Sequence, residues 1–234
     1  MKKAIVLALI LTLVSATGLY AHDPFIEKQG DEFVVLYGHP DKGKFEAYKI
    51  EFLKDVKAYD KTGKAVPTEI KPHTQGAAIS GEKAPAVIIL VFDRGCMVKT
   101  PEGYKNVSKR DAKDVIESFK GAKYNKNIWQ WNDRFSKPLG GKMELVPLKN
   151  PLALKAGDKL PFQVLYDGKP LAGATVAAEG VEKDALKTDP NGRAEIVIKK
   201  SGLNIVKANI KTPTPNDPDA DALIETANIA FMVK

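Results

Sequence analysis

Cysteine, histidine and tryptophan are scarce in this chain of 234 residues, which has one cysteine, three histidines and two tryptophans. The single cysteine, Cys96, excludes an intramolecular disulfide, so the fold must be held together by its apolar core. The sequence also has no Gly-x-Ser-x-Gly elbow, no phosphate-binding glycine loop and no dinucleotide fingerprint. Its carboxylates are scattered among lysines rather than paired. We therefore expect a protein that is not an enzyme.

Long apolar runs are missing except near the start, where residues 4–14 read AIVLALILTLV after a methionine and two lysines. This pattern is typical of a secretory signal peptide, and the run is too short to span a bilayer. Cleavage could follow Ala16 or Ala21. We favour 1–21 as the signal peptide, because that cut makes His22 the first residue of the mature chain. The mature protein is then expected to be periplasmic or secreted, and soluble.

Clustered charge of one sign is absent as well. The formal net charge is +7, and it becomes +5 once Lys2 and Lys3 leave with the signal peptide. In residues 44–64, KFEAYKIEFLKDVKAYDKTGK, lysines are interspersed with acidic and apolar residues. Such mixing is typical of solvated strand faces rather than of a basic patch. We therefore expect no nucleic-acid partner.

Strand-forming segments fill most of the mature chain. Residues 85–93, PAVIILVFD, form a nearly continuous apolar run that predicts a strand buried on both faces. The turn sequence TDPNG at 188–192 precedes an alternating strand at 193–198. Short strands at this spacing predict an all-β fold of two β-sandwich domains, Ig-like or transthyretin-like, at residues 22–140 and 143–234.

A short helical connection is expected inside the first domain. Ser108 is a suitable N-cap and Gly121 a suitable stop, so we predict a helical segment near 109–120. Trp129 and Trp131 lie two residues apart and would share one face of a strand. Two interpretations of this pair stay open, namely stacking on sugars and packing within the core or between domains.

All three histidines, His22, His39 and His73, lie in the first predicted domain. At a free N-terminus, the α-amine and Nδ1 of His22 can bind one metal ion together, since the amine has a near-neutral pKa. His39, in YGHPDKG, and His73, in IKPHTQG, each follow a strand-like run, and Pro40 restricts His39 to extended backbone. Loops of this kind can converge at one edge of a sandwich. We therefore predict a nitrogen-rich metal site made of the three histidines.

The metal and the remaining ligands are left open by the residues alone. Imidazole nitrogen suits nickel, cobalt, copper and zinc. Asp23, Asp41 and Gln75 are sequence neighbours that could complete the coordination sphere or orient a ligand. Cys96 is either a small buried thiol or a soft metal ligand.

Four segments of the chain resemble periplasmic proteins associated with nickel and cobalt uptake transporters. They are AHDPFI at 21–26, YGHP at 37–40, LGGKMELVPLKNPLALKAGDKLPFQVLYDGKPLAGATV at 139–176, and TDPNGRAEIVIKKSGLNIVKA at 188–208. The resemblance covers nearly the whole mature chain. The part after residue 145 is also similar to transthyretin-like or carboxypeptidase-regulatory-like β-sandwich modules, which are usually non-catalytic.

This resemblance implies a soluble periplasmic protein that binds a divalent transition metal, foremost Ni²⁺ with Co²⁺ as a second candidate. It further implies that the metal is presented to a membrane uptake transporter. The ligand role carries over to His22 and to His39 in the GHP motif. His73 rests on its position in the sequence and not on a family motif.

Two other functions remain as alternatives. An N-terminal histidine is also the mark of copper sites on β-sandwiches, in copper-resistance proteins and in oxidative polysaccharide-cleaving enzymes, and Cu²⁺ generally outcompetes Ni²⁺ at nitrogen ligands. The enzyme version would use Trp129 and Trp131 on an exposed surface. The other alternative is a non-catalytic structural pair of sandwiches. It predicts cleavage after Ala16 or histidines that lie far apart.

Overall fold

The computed structural model describes residues 22–81, 84–178 and 185–234. The predicted signal peptide and both candidate cleavage sites lie outside these residues. The strands in chain order are β1 Asp23–Gln29, β2 Glu32–His39, β3 Lys44–Phe45, β4 Leu53–Tyr59, β5 Ala65–Val66, β6 Glu69–His73, β7 Gly76–Ser80, β8 Val87–Thr100, β9 Gly103–Lys105, β10 Glu117–Ile128, β11 Met143–Pro147, β12 Lys159–Tyr166, β13 Lys169–Pro170, β14 Thr175–Ala178, β15 Leu186–Lys187, β16 Arg193–Val197, β17 Gly202–Pro213 and β18 Ala222–Val233.

Helical structure in the described ranges is confined to short 3₁₀ turns. They span Pro40–Lys42, Ile50–Phe52, Lys109–Asp111, Asp133–Ser136 and Pro151–Ala153. No helix within these ranges has the length and apolar character that crossing a membrane requires. The prediction of an all-β fold is therefore confirmed.

The described strands form three sheets, which we call the N-terminal, long and short sheets. The N-terminal sheet has the order β1-β2-β7-β6, with β3 added to β2. The long sheet has the order β15-β14-β17-β18-β10-β8-β4-β5, with β9 added to β8. The short sheet has the order β11-β12-β13, with β16 also paired to β12. The turn at 188–192 and the strand after it form as predicted, since Gly192 N donates to Asp189 O at 2.9 Å just before β16.

The long sheet lies between the two others and contributes to two main cores. One face of β8 places Ile88, Leu90 and Phe92 in a core with residues of the N-terminal sheet. The other face places Val87 and Ile89 in a second core with the short sheet. All five side chains are buried, which confirms the prediction of a strand buried on both faces.

Strands from both predicted domains meet in the long sheet, because β10 pairs in parallel with β18 from Lys120↔Leu223 to Ile128↔Phe231. A division of the chain at 140/143 therefore runs through one hydrogen-bonded sheet. The two sandwiches share this layer. The exact domain boundary stays a prediction.

The helical connection is shorter than the sequence predicts. Ser108 accepts a hydrogen bond from Arg110 N and caps the single 3₁₀ turn Lys109–Asp111. Asp114 then has a positive φ of 52°, which a right-handed helix does not allow. The expected helix over 109–120 is therefore wrong beyond its first turn. Residues from Glu117 onward belong to β10, whose backbone groups form hydrogen bonds with β8 on one side and with β18 on the other. This pairing overrides the local helical preference.

Both tryptophans pack inward. The Trp129 ring meets Phe33 edge-on at 4.8 Å and lies against the first core. The Trp131 ring lies 6.2 Å from Phe135, and its Nε1 donates to Asp133 at 3.1 Å. These contacts favour the packing interpretation over a flat sugar-binding surface.

Candidate metal centre

The pairing of β1 with β2 brings His22 and His39 together. The two strands are antiparallel, and their register ends with Asp23 opposite Gly38. The next residue on each side, His22 and His39, therefore face each other at the edge of the N-terminal sheet. Their ring centroids lie 4.4 Å apart with an interplanar angle of 47°. Two of the three predicted ligands thus form one cluster.

A tight turn after His39 sends the chain back along β2. Pro40–Lys42 forms a 3₁₀ turn, and Gly43 closes it in the left-handed conformation with a φ of 60°. Strand β3 then approaches Gly38 so closely that a Cβ atom there would lie 2.2 Å from the backbone oxygen of Lys44. Glycine at this position therefore allows the close return of the chain.

This return places Glu46 beside His22. The Glu46 backbone N donates to Tyr37 O at 2.9 Å, which fixes the residue against β2. Its carboxylate Oε1 lies 3.0 Å from His22 Nε2. An ionised carboxylate only accepts hydrogen bonds, so Nε2 carries the proton and Nδ1 of a neutral His22 keeps its lone pair. The sequence alone does not reveal a role for Glu46, because nothing in KFEAY distinguishes it from the other acidic residues of this region.

Aromatic side chains support the His22 ring. Tyr37 is buried and stacks on His22 with centroids 5.6 Å apart. On the core side, Tyr37 also stacks on Phe92 at 4.8 Å, and its hydroxyl accepts from Arg94 Nη1 at 3.2 Å. The Tyr37 ring next to the candidate ligand is therefore packed against the core.

His73 is in the same sheet but not in the cluster. It ends β6, which is separated from β2 by β7, so these two strands lie about 10 Å apart across the sheet. Its Nδ1 accepts from Gln75 N at 3.2 Å. Across 22–81, 84–178 and 185–234, no group of three or more His, Cys, Asp or Glu side chains is close enough to hold a metal. The structure thus joins His22 to His39 and leaves His73 apart.

The other undecided residues divide in the same way. Cys96 lies on β8 in the long sheet, where burial raises the pKa of its thiol. The backbone of Gln75 caps the ring of His73. Asp41 belongs to the turn after His39, and its side chain lies outside the described part of the chain.

Asp23 forms ion pairs with two lysines of the long sheet. Its carboxylate is 1% exposed and lies 2.9 Å from Lys123 Nζ and 2.7 Å from Lys207 Nζ. Burial opposes ionisation of the carboxyl, but the two ammonium groups outweigh it and keep the pKa of Asp23 below its ordinary value. Two lysines therefore occupy this carboxylate, and it is an anchor for β1 rather than a metal ligand.

The donor set at the sheet edge fits a transition metal once the chain begins at His22. Cleavage after Ala21 would add an α-amine to the two imidazoles, giving three nitrogen donors. A carboxylate hydrogen-bonded to the far nitrogen of a ligating imidazole is a common feature of such sites. Glu46 has this relation to His22, with 3.0 Å between their atoms.

Comparison with known proteins gives a family but no activity. No curated protein matches the chain. A solved structure of the D0-D1 domain of intimin is similar at 10% identity over 87% of this chain and 91% of that one, with a TM-score of 0.25. At this TM-score the likeness bears on neither fold nor function. The family model described as "Domain of unknown function (DUF4198)" matches residues 19–212, which is most of the chain and includes the histidine pair, and the chain belongs to that family.

Proposed function

We propose that the mature protein begins at His22 and binds one divalent transition metal ion as cargo, in the periplasm or outside the cell. The ligands are the α-amine and Nδ1 of His22 and the imidazole of His39. Ni²⁺ is the first candidate, with Co²⁺ and Cu²⁺ as alternatives. The bound ion is supplied to a membrane uptake transporter. The role is binding rather than catalysis.

One observation carries this proposal. The rings of His22 and His39 lie 4.4 Å apart, while Nε2 of His22 is turned to Glu46 at 3.0 Å. This arrangement leaves Nδ1, the nitrogen nearest the backbone, to share a metal with the amine. Nickel accepts nitrogen ligands in square-planar or octahedral geometry. The amine binds a metal near neutral pH because its proton is easily lost.

The direct test compares proteins that begin at the two candidate cleavage sites. The first begins at His22, and the second begins at Thr17, so its free amine lies five residues before the His22 ring. Titration calorimetry with Ni²⁺ should give a Kd at least about 100-fold higher for the longer protein, equivalent to about 2.8 kcal/mol. The matched control is His73→Ala in the shorter protein, with an unchanged Kd. Equal binding by the two lengths, or no binding by either, would overturn the proposal.

Metal identity needs a separate measurement, because Cu²⁺ is expected to bind this site more tightly than Ni²⁺ in vitro. The protein exported with its own signal should be purified and its metal content measured by native mass spectrometry. Nickel at one ion per chain, on a mass that begins at His22, supports the uptake role. Copper in the same position would replace it with the copper-binding alternative. A mass that begins at Thr17 would remove the amine ligand altogether.

A further inference from the structure

The residue directly after the candidate ligand His22 is a buried carboxylate that contacts two lysines. Asp23 bridges Lys123 of β10 and Lys207 of β17, two neighbours in the long sheet on either side of β18. The Lys207 side chain is 3% exposed and that of Lys123 is 14% exposed. We call Asp23, Lys123 and Lys207 the ion triad.

Three asparagines continue this attachment along β1. Asn127 Oδ1 accepts from Ile26 N at 3.2 Å, and Asn228 Nδ2 donates to Pro24 O at 3.5 Å. Asn125 joins them, since it donates to Asn228 and accepts from Asn127. All three asparagines are buried. Polar side chains of the long sheet thus satisfy backbone groups of β1 on the side away from β2.

This attachment has directional contacts where a terminal strand would otherwise be loosely held. Chain ends fray unless they are fastened, and apolar contacts alone are non-directional. A slip of β1 by two residues would move His22 by about 7 Å relative to His39. Metal–nitrogen distances tolerate only about 0.2 Å. A site that uses the first residue of a chain therefore needs its second residue fixed.

We propose that the ion triad is a positioning device that holds the N-terminal ligand His22 in register with His39. The proposal rests on the proposed metal-binding function and assigns Asp23, Lys123 and Lys207 a role in it. None of the three touches the metal. They act through the first strand, whose start they fasten to the long sheet.

The test compares two buried lysines of the long sheet, Lys207 and Lys126. Lys207→Met removes one arm of the triad and leaves Asp23 with Lys123. The matched control, Lys126→Met, removes an equally buried lysine, whose partner is Glu144. In this variant the Glu144 carboxylate still accepts hydrogen bonds from the backbone N–H groups of residues 139–141. Both variants are made in the protein that begins at His22.

The triad variant should bind Ni²⁺ about 10- to 100-fold more weakly, the range expected for groups that orient a metal ligand. The control should bind within about twofold of the unaltered protein. In the metal-free proteins, amide hydrogen exchange of Phe25 and Ile26 should be faster in Lys207→Met only. The visible absorption spectrum of bound Ni²⁺ should also change in that variant only. Lys207→Arg should restore affinity and spectrum.

The outcomes separate the two proposals. If the unaltered protein binds Ni²⁺ and Lys207→Met and Lys126→Met lose affinity equally, or neither loses it, the positioning role is overturned and the metal site stands. If the unaltered protein binds no metal, both proposals fail. Should Lys207→Met not fold, Lys123→Met is measured in its place, because its more accessible side chain makes the change milder, and the same criteria apply.

Discussion

Strand β10 carries a lysine on each face, the buried Lys126 and the partly buried Lys123, and the two lysines stabilise different features of the molecule. Lys126 faces the short sheet and pairs with Glu144, 2.5 Å away and 18 residues along the chain. Glu144 also accepts hydrogen bonds from backbone N–H groups of the loop just before it. Lys123 faces the N-terminal sheet and pairs with Asp23, which is 100 residues away.

The difference is one of range. The pair Lys126–Glu144 closes a local loop, so its removal should loosen that loop at residues 139–141. The second pair fastens a chain terminus to a distant sheet. The surrounding residues follow the same division, since Tyr124 and Ile128 on the Lys126 side belong to an apolar core, whereas the Lys123 side continues into buried asparagines. The Lys123 side thus fastens the start of β1 through directional polar contacts.

Cavities in the two cores should affect stability alike and metal binding differently. Phe92, in the first core, stacks on Tyr37, which stacks on His22. Phe162 lies fully buried in the second core. Phe92→Ala and Phe162→Ala should each lower the free energy of unfolding by about 3–5 kcal/mol, as measured by urea denaturation. Only Phe92→Ala should also weaken Ni²⁺ binding, and equal losses of affinity would contradict the separation.

The two ends of the β1–β2 hairpin should respond differently to an added methyl group. At Gly38, near His39, the new Cβ would collide with backbone at 2.2 Å, and φ is 153°. At Gly30, in the opposite turn, φ is 62° and no atom lies within 4 Å. Gly38→Ala should cost about 2–3 kcal/mol and weaken Ni²⁺ binding. Gly30→Ala should cost about 1–2 kcal/mol and leave binding unchanged, and the reverse order in thermal unfolding and calorimetry would refute this geometry.

Two acidic residues after β3 provide a finer comparison. Glu46 contacts His22, whereas Glu51 makes only an exposed pair with Lys49 at 3.6 Å. Glu46→Gln should raise the Kd for Ni²⁺ about 10- to 100-fold, because a weaker acceptor holds the His22 ring less firmly. Glu51→Gln should leave the Kd unchanged. Similar Kd values for the two variants would show that Glu46 has no orienting role.

Acid should weaken both sides of the long sheet. On the short-sheet side, burial opposes ionisation of Glu225, but Lys142, Tyr166 and Tyr124 outweigh it and lower its pKa, as the two lysines do for Asp23. A carboxyl whose pKa is lowered by folding stabilises the folded state at any pH above its ordinary pKa, which is 3.8 for Asp and 4.5 for Glu. This stabilisation is lost as the pH falls through the lower pKa of the folded state.

Urea unfolding at pH 7, 4 and 3 measures this contribution. At pH 7, Asp23→Asn and Glu225→Gln should each have a lower free energy of unfolding than the unaltered protein. Between pH 7 and pH 3, this free energy should fall less in each variant than in the unaltered protein. Only Asp23→Asn should also speed hydrogen exchange in β1. Stability curves that run parallel to that of the unaltered protein would show that these carboxyls do not carry the acid response.

Local patterns predict the elements whose partners are close or whose composition is extreme. The apolar run of β8 has no polar residue to place in water until Asp93, so burial on both faces follows from composition. The turn at 188–192 has the residues that a tight reversal needs. The prediction of a helix near 109–120 is wrong beyond its first turn, because the structure of this segment depends on distant partners. Its pattern is weak, and β10 gains partners on both sides that are far away in sequence.

The candidate site divides in the same way. The predicted position of His22 after a signal peptide and the family resemblance of the GHP motif at His39 both predict ligands, and the hairpin register brings the two histidines together. The sequence does not reveal that His73 ends a strand beyond β7, nor that Glu46 returns to His22. Both facts depend on strand order and on the turn after His39.

The amino-acid sequence by itself determines an all-β chain, the strand buried on both faces and the pair of histidines that a short hairpin can join. These depend on local composition and on contacts close along the chain. Tertiary structure alone decides that the two sandwiches share one sheet, that Asp23 is held by Lys123 and Lys207, and that Glu46 faces His22. These features join residues up to 184 positions apart, where side-chain patterns carry no information on which strand becomes the neighbour. Only the packing of the sheets selects those partners.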